Sequence, residues 1–355
     1  MKKIVLTGGG TGGHVTPNLA LIPRLQADGW EISYIGSENG VERELITAVP
    51  GIKYYGISVG KLRRYHDLKN LSDPFRVIKG LAQATHIIRK IKPDVLFSKG
   101  GFVSVPAVYG AALNHVPIVT HESDLTPGLA NKLCLRYSMA QCCAFPEAVR
   151  YAGDKGVYTG SPIRTELMKG SRAAGLKRFG LKEDKKVLLV MGGSSGAQAI
   201  NEAVRAALPK LLGSFQVLHL CGKGNLDPKL ENTEGYVQCD YLTDGMADAY
   251  ACAEIMVSRA GANSLFEILA LKKPVLLIPY PKGAGRGDQE ENAASFLKRG
   301  LCKVLEQADL TPDTLWDKVV ELYHDRGTIR DAMAQEPCLD GTDAVLEQIY
   351  KFAKK

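Results

Sequence analysis

No stretch of this chain stays apolar over the roughly eighteen residues needed to cross a bilayer, so a transmembrane helix is excluded from the expected architecture. The first residues read as a β-strand, not as a signal sequence, and the expected location is the compartment of synthesis. Eight cysteines are present, but no C-x-x-C pair or Cys/His ladder accompanies them. Zinc is therefore not expected, and reduced thiols in apolar surroundings are. The pattern G-x-x-x-x-G-K-[ST] is missing as well, which argues against a P-loop nucleotidase. Disorder is excluded by a hydrophobic content of 45% against 23% charge. At 355 residues the chain is long for one core, and two domains are expected.

What the sequence does have is glycine in telling places. Residues 2–25 read KKIVLTGGGTGGHVTPNLALIPRL: a strand through Ile4, Val5 and Leu6, a turn of five glycines, and an apolar pattern at helical spacing. The helix is expected to begin where the glycines end. Amides without intrahelical partners and the positive end of the helix dipole suit an anionic group there, and glycine lets it approach; phosphate is the first expectation. The pattern returns at Val187–Met191, which runs into Gly192-Gly193-Ser194-Ser195-Gly196. Further apolar runs (WEISYIGS, PDVLFSKGG, VPIVTHES, QVLHLCG, EIMVSRAG, KPVLLIPYP) alternate with helical stretches. That alternation predicts an α/β protein of two similar parallel-sheet domains, with a boundary near 160–183. Ligands of such sheets lie outside the carboxyl ends of the strands. Two glycine turns facing one cleft would suit a reaction joining two phosphate-bearing substrates.

Gly8, Gly10 and Gly13 satisfy G-x-G-x-x-G, so a nicotinamide or flavin enzyme competes. That reading also wants an acid closing the second strand, about twenty residues on. Here the strand ends in Gly36-Ser37, and Glu38 falls in the turn. His14 follows the glycines, where a helix start disfavours the protonated imidazole and leaves a proton acceptor near neutral pH. It is a candidate general base; the alternative is a cap for the turn.

The formal charge of +7 sits in one segment. Residues 61–92 hold nine Lys or Arg against Asp67 and Asp73, equal to the excess of the whole chain. Leu62, Tyr65, Leu68, Leu71, Phe75, Val77, Ile78 and Leu81 are interleaved, which favours an anionic membrane surface over nucleic acid. The alternative is an amphipathic helix with a solvated polar face.

The blocks GGGTGGHVTPNLAL, SKGGFVSVPAV (98–108), HESDLTPGLANK (121–132), GSPIR (160–164), GGSSGA (192–197) and SRAGANSLFEI (258–268) resemble the MurG family of glycosyltransferase family 28, in its order and spacing from Lys2 to about Gly300. The resemblance implies a GT-B fold, two Rossmann-like parallel-sheet domains facing across a cleft. Residues 1–163 would form the acceptor and membrane side, with a helix at about 341–355 returning to it, and 164–340 the UDP-GlcNAc side. The implied activity is inverting transfer of GlcNAc from UDP-GlcNAc to lipid-linked MurNAc-pentapeptide, lipid I to lipid II, in peptidoglycan synthesis. The implied setting is the inner face of the cytoplasmic membrane, peripheral, beside cell-wall or division machinery. A GT-B enzyme using diacylglycerol is the alternative; a nicotinamide-binding Rossmann protein and a UDP-GlcNAc 2-epimerase are further rivals.

By resemblance, Thr11, Gly12 and Gly13 hold the acceptor diphosphate and approach the donor sugar. Arg164 and Ser194 meet the donor diphosphate, which suits a guanidinium and a hydroxyl beside turn amides. Glu267 takes the ribose diol, in a helix opened by Ala262, Asn263 and Ser264 that belongs to the donor site. Gln289 reads hydroxyls of GlcNAc, with Asp288 beside it, and Leu242 falls near the uracil contact. Many relatives carry glutamine and asparagine where Ser123 and Asp124 stand; a carboxylate near phosphates is unfavourable unless paired or protonated. Glu122 and Asp124 are candidates for the acceptor side and lesser candidates for the base. The loop 282–287 departs from the family pattern too. No D-x-D appears in the donor region, so no metal is expected to be obligatory, though magnesium can accompany the diphosphates.

Overall fold

The computed structural model describes residues 1–60, 73–193, 196–240, 242, 244–283 and 286–354. The basic residues between 61 and 72, and Ser194, lie outside that range.

By internal contacts the chain forms two units, Met1–Arg164 with the C-terminal segment from Asp340, and Thr165–Leu339. The first is built on β1 (Lys3–Thr7), β2 (Glu31–Ser37), β3 (Lys53–Ile57), β4 (Val95–Ser98), β5 (Ile118–Glu122), β6 (Ala140–Cys143) and β7 (Gly156–Tyr158). They are all parallel, in the order β3-β2-β1-β4-β5-β6-β7. The order reverses between β1 and β4, and such a switch point opens a crevice at the strands' carboxyl ends.

Alternation along β1 explains the layers. Ile4 and Leu6 face a cluster with Leu21, Ile22 and Leu25 of α1 (Thr16–Ala27), while Val5 faces Ala84 and Ile88 of α3 (Asp73–Ile91) and Ala107, Val108 and Ala111 of α4 (Ser104–Leu113). All three strand side chains are fully buried, each worth about 1.5–3 kcal/mol. Gly110 lets α3 and α4 close up, since a Cβ there would stand 2.9 Å from the Thr85 nitrogen.

The second unit repeats the plan with β8 (Val187–Met191), β9 (Gln216–Leu220), β10 (Tyr236–Cys239), β11 (Ile255–Ser258), β12 (Val275–Leu277) and β13 (Lys303–Val304). Its order is β10-β9-β8-β11-β12-β13, again parallel, with the switch point between β8 and β11. α6 (Arg172–Phe179) precedes this sheet, and between its strands run α7 (Gln198–Leu211), α8 (Met246–Cys252), α9 (Ala262–Ala270) and α10 (Asp288–Lys298). α11 (Pro312–Ala334) starts from a capping box in which Thr311 and Thr314 satisfy each other's backbone N–H groups. The chain then returns as α12 (Thr342–Phe352) to the first unit, where Val345, Leu346 and Ile349 join the cluster of Ile4 and Leu6 and Tyr350 stacks on Trp30 at 5.6 Å. None of the eight cysteines is joined in a disulfide.

Candidate functional site

In the first unit the glycine turn leaves β1 at its carboxyl end and is anchored from below. Tyr34 donates its hydroxyl to the Gly8 carbonyl at 2.8 Å, and Asn18 donates to the Thr7 carbonyl at 3.3 Å. The buried Glu42, from α2 (Val41–Thr47), accepts from the Gly10 N–H at 3.1 Å and from the Ser37 N–H at 2.9 Å. Gly10 has φ +87°, and a Cβ there would stand 2.5 Å from the Phe102 ring.

The helix does not begin where the glycines end. Gly12–His14 form a single 3-10 turn and α1 starts at Thr16, because the His14 and Val15 amides bond back to the Thr11 and Gly12 carbonyls at 3.1 and 2.9 Å. His14 thus stands just before the helix, its Nδ1 2.9 Å from Thr11 Oγ1. Three of the amides expected to face an anion, those of Gly10, His14 and Val15, are engaged inside the loop.

The loops after β4 and β5 lie beside this turn. A Cβ on Gly101, at φ +80°, would collide with the Gly9 carbonyl and come within 3.3 Å of the His14 ring. Glu122, buried at the end of β5, accepts from the Asp124 N–H at 3.0 Å, the Gly128 N–H at 3.1 Å and Asn131 Nδ2 at 2.8 Å. Burial, and next the charge of Asp124, push its carboxyl pKa up. That bonding makes Glu122 the organiser of the 123–131 segment, including the start of α5 (Leu129–Leu135). His121 is held neutral: burial, then the charge of Lys99, depresses its pKa well below the usual value, and Nε2 lies 3.0 Å from the Gly160 carbonyl. Arg164 lies beyond β7 as the last residue of this unit's first segment.

In the second unit the turn after β8 uses Gly193 and Gly196 at φ +90° and +77°, and a Cβ on Gly196 would overlap the Cys221 carbonyl. Gly192, Gly196, the first residues of α7, Arg259, Tyr280 and Gln289 line one recess of about 480 Å³. Arg259, at the end of β11, donates to the Ile278 and Pro279 carbonyls at 3.0 and 3.1 Å and to Gln307 Oε1 at 2.6 Å. Gln289 lies in the first turn of α10, and its Oε1 accepts from the Tyr280 N–H at 3.0 Å. Asp288 is 2.8 Å from Arg286. Glu267 is not among that lining. It is nearly buried on α9, where the Tyr250 hydroxyl of α8 donates to Oε2 at 3.2 Å. Ala262, Asn263 and Ser264 form the first turn of α9, and Leu242 is partly buried. Among the described residues no group of three or more His, Cys, Asp or Glu is placed to hold a metal ion.

Four residues here escaped the sequence reading. Glu42 and Tyr250 carry no local signal, since their roles arise from packing between elements. Lys99 and Arg259 could have been found, each being a cation directly after a switch-point strand.

The Glycosyltransferase family 28 N-terminal domain matches residues 4–141 and the Glycosyltransferase family 28 C-terminal domain residues 187–349. Relatives from Lachnospira eligens and Clostridium botulinum (strain Loch Maree) are 54% and 52% identical over the whole of both chains. The chain belongs to glycosyltransferase family 28. Both relatives are named UDP-N-acetylglucosamine--N-acetylmuramyl-(pentapeptide) pyrophosphoryl-undecaprenol N-acetylglucosamine transferase. Among solved structures, this family-28 chain superposes on Acinetobacter baumannii MurG with a TM-score of 0.79 at 25% identity, covering 99% of this chain and 100% of the other. A Neisseria meningitidis UDP-GlcNAc 2-epimerase shares the fold, with a TM-score of 0.68 at 14% identity over 99% of each chain. The paired Rossmann-like units are those of the GT-B class.

Proposed function

We propose that the protein transfers GlcNAc from UDP-GlcNAc to the C4 hydroxyl of MurNAc in undecaprenyl-diphosphate-MurNAc-pentapeptide, the conversion of lipid I to lipid II. The observation that carries this reading is full-length identity above 50% with transferases of that name.

In the proposed displacement, the C4 oxygen attacks the anomeric carbon from the face opposite UDP. The new C–O bond forms as the bond to the diphosphate breaks, and the configuration inverts. His14 takes the hydroxyl proton. With Nδ1–H donating to Thr11 Oγ1, the lone pair that accepts it is on Nε2. Thr11, Gly12 and Gly13 hold the acceptor diphosphate. Arg164 and Ser194 stabilise departing UDP, with no metal obligatory and magnesium as an optional companion. Glu267, presented by Tyr250, accepts from the ribose hydroxyls, and Ala262, Asn263 and Ser264 line the same site. Gln289 turns its amide N–H groups to the sugar, its oxygen being held by Tyr280, and the Leu242 backbone meets uracil.

The reading extends to a peripheral place on the cytoplasmic face of the bacterial membrane, reached through the basic, apolar stretch 61–92, and to neighbours in cell-wall, cell-shape and division machinery. It is supported by Phe75 and Ile78, exposed on α3 beside Arg76 and Lys79. Among the described residues no helix is long and apolar enough to cross a membrane.

The deciding experiment offers labelled UDP-GlcNAc with a short-chain lipid I analogue, or with diacylglycerol, in the presence and absence of EDTA. Transfer to the lipid I analogue alone is expected, and EDTA should leave it intact. Transfer to diacylglycerol, or UDP release without any acceptor, would replace this reading.

A further inference from the structure

Lys99 closes β4 at the switch point of the first sheet and is 1% exposed, although its side chain carries an ammonium group. Lysine is almost never buried this fully without a partner. Its backbone N–H donates to the Thr7 carbonyl at 2.9 Å, so it stands against the root of the glycine turn, and a Cβ on Gly8 would lie 3.1 Å from Lys99 Cβ. Its Nζ donates to Ser123 Oγ on the loop after β5. The next residue is Asp124, whose N–H is tied to Glu122.

The charges around this ammonium explain its position. Glu122 and Asp124 attract it, the buried Cys142 thiol of β6 stays protonated and neutral, and the neutral His121 feels its field. Without a cation here, two adjacent carboxylates would repel each other beside the loop assigned to an acceptor diphosphate. Lys99 places a positive charge within reach of both carboxylates, through its hydrogen bond to the neighbouring Ser123.

We propose that Lys99 is a positioning residue for acceptor binding: it holds Ser123 and offsets the carboxylate of Asp124, so that the loop presents an ionised hydrogen-bond acceptor to a hydroxyl or amide N–H of the acceptor's sugar-peptide portion. The proposal rests on the reading that the first unit binds the acceptor. Burial pulls the Lys99 pKa down to about 8, against the opposing pull of Glu122 and Asp124. The offset therefore holds below that pH and is lost above it, as the ammonium gives up its proton.

The test is a double-mutant cycle of Lys99→Met, Asp124→Asn and the pair, with Ser123→Ala as a milder variant. Kinetics use the lipid I analogue, and equilibrium unfolding of the same full-length proteins reads the coupling without any substrate. Removing Lys99 takes away the cation that offsets Asp124, and removing Asp124 leaves Lys99 to Glu122 alone, so each single variant should lose roughly tenfold or more in acceptor kcat/KM. The pair should perform roughly tenfold better than the product of the singles. KM for UDP-GlcNAc should stay unchanged throughout, and the pair should lose an alkaline limb near pH 8. Ser123→Ala should shift acceptor KM in the same direction by less. Additive singles in both readouts, or equal losses on donor and acceptor, would overturn the proposal. Coupling in unfolding with no transfer by the parent enzyme would overturn the acceptor reading and leave the charge pair standing.

Discussion

His14 and Thr11 form a pair in which each needs the other. The hydroxyl and Nδ1 lie 2.9 Å apart at the rim of the turn, and because a hydroxyl can accept from or donate to the ring, the contact orients the imidazole in either neutral tautomer. Substituting His14 by alanine should lower transfer roughly a hundredfold or more while UDP binding, measured by calorimetry, stays near the parent value. A variant that keeps most of its turnover would remove His14 from the base role. The glycines and His14 were legible because their chemistry is local: a strand, a turn and a helix lie within one short stretch. Glu42 was not, because its meaning comes from a buried hydrogen bond to Gly10 across 32 residues of chain. Tyr250 is hidden for the same reason, lying 17 residues before the Glu267 carboxylate it engages. Glu122 shows the reverse case, since three N–H groups converge on it and make it an organiser of its loop.

Among whole elements, the strands that announced themselves are buried on both faces. β1, β4, β8 and β11 flank the two switch points, and each carries at least three consecutive buried apolar residues. The strands with no clear signal are edges or lie next to one: β3, β7, β10 and β13 close the two sheets, and KYYGI or a two-residue strand carries little apolar pattern. α3 presents two faces. Ala84, Ile88 and Ile91 are buried, whereas Phe75 and Ile78 are exposed among Arg76 and Lys79. Ile78, Leu81, Ala82, Thr85, His86 and Arg89 line, with Leu113 of α4, an open groove of about 430 Å³. Replacing Arg76 and Lys79 with glutamate should weaken binding to anionic vesicles by roughly tenfold or more, each basic residue contributing about 1 kcal/mol near such a surface. Sedimentation with vesicles at two salt concentrations measures it, and binding unchanged at low salt would remove this face from the membrane reading.

Across the whole molecule, the last helix belongs with the first strands. α12 buries Val345, Leu346 and Ile349 in the cluster of Ile4 and Leu6, and the Lys354 N–H donates to the Asp94 carbonyl at 3.0 Å. Leu346→Ala should cost the first unit about 2–5 kcal/mol, read as a lowered denaturant midpoint for that unit. A change below about 0.5 kcal/mol would mean that the helix adds nothing to the core. Sequence alone determined the alternation of strands and helices, the two glycine turns and the chemical types gathered after them, because periodicity and backbone freedom are properties of neighbouring residues. The return of the last helix to the first domain was expected from the family resemblance; only the tertiary structure decided which strands adjoin at each switch point, that Lys99 meets Ser123, and which core cluster α12 joins. Those outcomes depend on burying apolar faces and pairing desolvated charges between segments far apart in the chain, and no local pattern encodes which distant partner is chosen.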